Sequence, residues 1–118
     1  MMRYGSAMRR LFKIRWNLHK GVVQDHHVIP INFRYHPVVV SHNLDLNASP
    51  NIVMMPTYYG MEKMNLRSDR LVHYGNHERY NDFVKFNLDF IKSNDELLYF
   101  QSFLRRNCRD NIDNIPWT

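Results

Sequence analysis

Two adjacent histidines, His26 and His27, sit in the run QDHHVIP (24–30), and two more, His73 and His77, lie four residues apart in HYGNH (73–77). Imidazole both binds transition metals and exchanges a proton near neutral pH, its ordinary pKa being about 6.5. A histidine pair spaced i, i+4 on or entering a helix can converge on one ion, and a zinc-type site commonly takes three histidines and leaves a fourth position for water or substrate. His73, His77 and one member of the doublet make such a set. The other member would stand beside the ion without binding it and take a proton from water, as phosphodiester hydrolysis requires. An isolated His-His pair is more often two satisfied polar side chains, and H-x-x-x-H alone has many false positives. The joint presence of both signals in a basic chain carries the reading. His19, His36 and His42 lack such partners and are expected to make ordinary surface or loop hydrogen bonds.

These side chains need elements to position them. The β-branched run VVQDHHVIPI, stopped by Pro30, and NIVMMP (51–56), stopped by Pro56, predict two short strands. Successive side chains of an ideal strand point to opposite faces, so both doublet histidines reach one site only if the strand is strongly twisted or bulged. His77, Tyr80, Val84, Leu88 and Ile91 recur at helical spacing, with Phe83 widening the stripe, and predict a helix from about 76 to 92. Ser93 and Glu96 form a capping box for a second helix from about 94 to 109, with Leu97, Phe100, Leu104 and Cys108 on its apolar face. Residues 32–50 read as a long structured loop with one helical turn, and 57–72 as a basic connector. In the first twenty residues Phe12, Ile14, Trp16 and Leu18 alternate with polar residues, which favours an extended segment after a short basic arm; Met8, Leu11, Phe12 and Trp16 would share a helical face instead.

With 118 residues the chain is expected to form one compact domain. Sixteen Lys and Arg against eleven Asp and Glu leave a formal charge of +5 and a pI near 9.6, which points to a polyanionic partner. A single cysteine, Cys108, excludes an internal disulfide and any cysteine-rich zinc knuckle, so a metal must use His, Asp or Glu. No apolar run approaches the roughly 20 residues of a membrane span, and no secretory h-region is present; a soluble protein, intracellular rather than secreted, is expected.

The series DHHVIP, FRYHP, DLNASPNIVMMP and HYGNHERYNDFV, over about residues 24–91, resembles the AHH-like branch of the HNH (ββα-metal) endonuclease superfamily. The resemblance implies an α+β fold: a small ββα-metal (His-Me finger) core over 21–92, an added C-terminal helix over 93–110 and a basic N-terminal segment over 1–20. It also implies roles. His26, His73 and His77 would bind the metal, His27 would be the general base, and Asn51 would hold the base; Gly75, Tyr80 and Asn81 also fall on the motif. Asp25 replaces the usual residue before the doublet, Ile52 stands where glycine is frequent, and Glu78 replaces a proline. Glu78 adds a carboxylate near the ion that could be a further ligand, a partner of a ligand histidine or, the favoured reading, a first-turn residue favourable to the helix dipole.

The implied activity is metal-dependent hydrolysis of DNA with weak sequence specificity, using one divalent ion, Zn, Mg, Mn or Ni, and leaving 5′-phosphates. Arg3, Arg9, Arg10, Lys13, Arg15 and Lys20, with Arg34, Lys63, Arg67 and Arg70, are the candidate contacts to neighbouring phosphates. No recognition module is evident, so such an enzyme would be non-specific, a nicking enzyme reading a few base pairs, or a homodimer. The rival readings are a ribonuclease and a non-cleaving, metal-stabilised nucleic-acid-binding or structural protein.

Overall fold

The computed structural model describes residues 3–18, 21–64, 77–110 and 115–117. The two apolar runs form strands β1 (Val23–His27) and β2 (Ile52–Pro56), paired antiparallel with His26 opposite Val53 and His27 opposite Ile52. A two-stranded sheet is marginal by itself, so helices must cover it.

Four further helices before the last one are placed by local chemistry. The N-terminal helix α1 spans Ala7–Arg15, α2 Pro37–Ser41, α3 Tyr58–Lys63 and α4 Glu78–Phe90. α4 buries the expected Tyr80, Val84 and Leu88, and the final helix, α5 (Asn94–Asp110), buries Leu97, Phe100, Leu104 and Cys108. Ser93 and Glu96 cap α5 as a variant of the capping box: the Glu96 N–H donates to Ser93 Oγ at 3.1 Å, while Glu96 Oε1 accepts from the Ser93 hydroxyl at 3.2 Å and from the Lys92 N–H at 3.3 Å. These faces meet Val28, Ile29, Val53 and Met55 in one core, closed by Ile115 and Trp117 near the C-terminus. The architecture is a small α+β one, with a two-stranded antiparallel sheet and several helices among the described residues.

Two expectations are corrected. Residues 7–15 are helical, not extended. Ser6 caps the helix by accepting from the Arg9 N–H at 3.2 Å, and Arg9 and Lys13 both reach Asp25 of β1. Residues four apart stand about 13 Å apart along a strand but only about 6 Å apart on a helix, so the helix brings both cations to one carboxylate without stretching either side chain. Met8, Leu11, Ile14 and Trp16 are exposed as a result. The connector likewise begins as a helix, α3, capped by Thr57, whose Oγ1 accepts from the Gly60 N–H at 2.9 Å. Gly60 is required there because a Cβ would lie 1.8 Å from the Val22 carbonyl oxygen. The long loop carries α2, which His36 caps by accepting from the Val38 N–H at 3.2 Å, and 3-10 turns at Ile31–Phe33 and Ser49–Asn51.

Cys108 reports on this core, because burial pushes its thiol up to about 12 and only the thiolate is alkylated. Phe100→Ala should destabilise the protein by roughly 3 kcal/mol. The expected readout is faster alkylation of Cys108 at pH 8, since the core opens more often; an unchanged labelling rate would show that α5 is not docked through Phe100.

Candidate active site

β1 sends its two histidines to opposite faces, as strand alternation requires. His26 is buried against α4: its ring lies 5.3 Å from that of His77, nearly perpendicular at 87°, and 5.0 Å from Tyr80. Trp117 packs on both imidazoles, at 5.2 Å from His26 and 4.8 Å from His77. His27 turns the other way. Its Nε2 is 2.9 Å from Asn47 Oδ1, and the Tyr4 ring lies 4.5 Å from its own.

Both histidines nevertheless line one cleft of 250 Å³, with Asp25, Pro30, Ile31, Asn32, His77 and Asn81. Consecutive strand residues share a cleft only along the strand's edge, and among the described residues β1 pairs with β2 alone. Two-stranded ribbons also twist more strongly than larger sheets. A larger groove of 590 Å³ between α4 and α5 is lined mainly by Phe83, Ile91, Tyr99, Phe100 and Phe103 and touches no candidate residue. The candidate histidines line the smaller, polar cleft.

Two amides set the imidazoles. His77 Nδ1 is 3.1 Å from Asn81 Oδ1, one helical turn on. With the amide oxygen accepting, Nδ1 carries the proton and Nε2 remains the basic nitrogen, suited to a ligand. By the same logic, the Asn47 oxygen places the His27 proton on Nε2 and leaves Nδ1 basic. His77 itself has φ 40° and ψ 52°, the left-handed region that a non-glycine residue enters at a cost.

Asn51 is placed differently from the expectation that it holds His27. It is fully buried, and its Oδ1 accepts from the Ile29 N–H at 3.0 Å and from Gln101 Nε2 at 3.1 Å. Its Nδ2 donates to the carbonyls of Ile29 at 3.0 Å and Leu46 at 2.9 Å. All four hydrogen-bonding positions of the amide are used, so its side chain fixes the exit of β1 rather than the base. Asn47 is the amide that contacts His27, the candidate base. Sequence reasoning missed it, along with Tyr4 and Trp117, because each contact is long-range and has no local periodic signal.

His73 lies outside the described residues, as do Lys20, Arg67, Arg70 and Gly75. Among the described residues no group of three metal-ligating side chains comes together. The donor chemistry that is visible, two convergent imidazoles with His77 oriented by Asn81, fits an imidazole-binding divalent ion. Of the candidate phosphate contacts, Arg9 is buried and its Nε donates to Asp25 Oδ2 at 3.1 Å, while Lys13 reaches the same oxygen at 2.8 Å. Arg3 pairs with Asp45. These three cations are committed to carboxylates, whereas Arg10, Arg15, Arg34 and Lys63 are exposed. Glu78 is the exposed first residue of α4.

Residues 17–112 match AHH, a nuclease family of the HNH/ENDO VII superfamily with conserved AHH. The chain belongs to this family. No curated protein and no solved structure matches the chain. In this AHH nuclease family member the doublet is preceded by Asp25 instead of alanine, and the helix that Asp25 anchors, α1, precedes the matched residues. The Asp25 carboxylate is itself nearly buried, and its Oδ1 has no hydrogen-bond partner among the described residues.

Breaking a buried ion pair strands the remaining charge, so Asp25→Ala should cost roughly 3 kcal/mol in urea unfolding. A stability equal to that of the parent would show that Arg9 needs no counter-charge. The left-handed backbone at His77 gives a separate comparison. His77→Gly should be about 1 kcal/mol more stable than His77→Ala, and equal stabilities would mean that residue 77 is not held at positive φ.

Proposed function

We propose that the protein is a metal-dependent endonuclease that hydrolyses phosphodiester bonds in DNA, with His27 as general base and with His26, His73 and His77 as ligands to one divalent ion. In this reading β1, β2 and α4 form a ββα-metal core within a single domain. The observation that carries it is the division of the doublet: one cleft receives His26 from the face that holds His77 and His27 from the face that holds Asn47.

A divalent ion held by the three histidines, whether Zn, Mg, Mn or Ni, would supply positive charge to the scissile phosphate and the departing 3′ oxygen. The chain's own residues do the rest. His27, its Nε2–H donated to Asn47, accepts a proton from water through its basic nitrogen as the water oxygen bonds to phosphorus in line with the leaving group. The P–O3′ bond breaks, the 3′ oxygen takes a proton from solvent, and the products carry a 5′-phosphate and a 3′-hydroxyl. Asn81 keeps the His77 proton on Nδ1. Trp117 and Tyr80 exclude water from one side of the His26–His77 pair.

Incubation with supercoiled plasmid and each metal, against EDTA, should give metal-dependent nicking. Absence of cleavage with every metal, with DNA binding retained, would favour a non-cleaving binding protein, and cleavage of RNA alone would change the substrate. His27→Ala should lower the rate roughly 10²–10⁴-fold with metal affinity kept, while His26→Ala should weaken metal binding. Asn47→Ala should lower the rate less than His27→Ala and leave metal affinity intact. If His26→Ala and His27→Ala lose metal equally, the division of roles is wrong.

A further inference from the structure

α5 carries a second concave surface away from the apolar groove. Ser102, Arg105, Arg106, Arg109 and Asp110 line a cavity of 310 Å³, and the spacing of the first four gathers them on one side of the helix. Arg105 is only partly exposed, and its Nε is shielded from water with no hydrogen-bond partner among the described residues. A guanidinium N–H satisfied by neither water nor protein is costly, and an anion satisfies it. Among the described residues Arg105, Arg106 and Arg109 make no ion pair, and Asp110 is the single carboxylate that lines the cavity. Burial and the charges of Arg109 and Arg9 hold the Arg105 guanidinium below its ordinary value. That is the signature of cations gathered without an anion.

The helix that carries this surface, α5, is tied to the exit of β1, the strand that lines the candidate cleft. Arg9, near enough to Arg105 for its charge to be felt, is bound to Asp25, which lines the cleft. One turn before Arg105, Gln101 donates to Asn51 at the exit of β1. We propose that Arg105, Arg106 and Arg109 form a seat for the phosphodiester backbone of duplex DNA flanking the scissile bond. The proposal rests on the nuclease reading for its substrate. The planar, permanently charged forks of arginine suit bidentate contact with phosphate oxygens, and such contacts position a duplex without reading its sequence.

The test is the salt dependence of binding to a fixed duplex, measured in the slow-cleaving His27→Ala background. Arg105→Gln/Arg109→Gln should weaken binding and reduce the slope of log K against log salt by about 0.9 for each phosphate that is no longer neutralised. Lys85→Gln/Lys92→Gln removes the same charge from another surface and should leave the slope near the parent's. In the cleaving protein the arginine pair should raise KM for plasmid. Arg109→Gln alone, at an exposed residue, carries the test should the double variant fail to fold. Identical slopes for the arginine and lysine pairs, with cleavage normal and KM unchanged, would overturn the seat and leave the nuclease reading standing. A selective fall in slope in a protein that cuts with no metal would establish the seat and overturn the nuclease reading.

Discussion

Asn51 is fully buried and spends its whole amide on three other parts of the chain: both backbone groups of Ile29, the carbonyl of Leu46 and the side chain of Gln101 on α5. A buried amide left unsatisfied would cost several hydrogen bonds' worth of desolvation, so each of these segments must stay where it is for the others to be tolerated. That constraint matters because the sheet has only two strands among the described residues and little intrinsic stability. Tyr80 reinforces it from α4 by donating its hydroxyl to the Val28 carbonyl. The residues following the histidine doublet are therefore gripped from both helices and from the long loop.

With the exit of β1 fixed, the alternation of the strand becomes useful instead of obstructive. His26 and His27 share a cleft yet occupy different surroundings. One stands among His77, Tyr80 and Trp117; the other lies between Asn47 and Tyr4. In the proposed reading, environment alone divides two identical side chains between ligand binding and proton transfer. A helix would have separated neighbouring side chains by about 100°, and would not have put them on opposite walls of one narrow opening.

What could be read from the sequence follows from what kind of side chain each element buries. β2, α4 and α5 bury apolar residues, and β1 is flanked by buried Val22, Val28 and Ile29, so hydrophobic patterning finds all four. α1 buries Arg9 and exposes Met8, Leu11, Ile14 and Trp16, so apolar periodicity points the wrong way. α3 contains Gly60, a poor helix former present because Val22 passes too close for any side chain. In DLNASPN the family resemblance drew attention to Asn51, while the partner of His27 proved to be Asn47, twenty residues from the base and held in a turn by its N–H to Asp45 Oδ1 at 3.0 Å. Such contacts are settled by tertiary packing and have no sequence period.

Asp25 explains why that packing takes this form. It shares a strand face with His27 two residues on, and its one oxygen, Oδ2, takes both Arg9 and Lys13. Low exposure makes the cluster costly to dismantle, because removing any member strands a charge with little water around it. The direction and rotation of α1 are therefore set by charge, and its apolar residues point outward because its ionic face points in. The same anchoring brings the residues before α1 onto the loop. The Tyr4 N–H donates to the Asn47 carbonyl at 2.9 Å, and Arg3 pairs with Asp45. Tyr4 then covers His27 while Asn47 holds its Nε2. The aspartate that stands in place of the family's alanine thus shapes the surroundings of the candidate base without touching it, by fixing the helix that carries its aromatic cover.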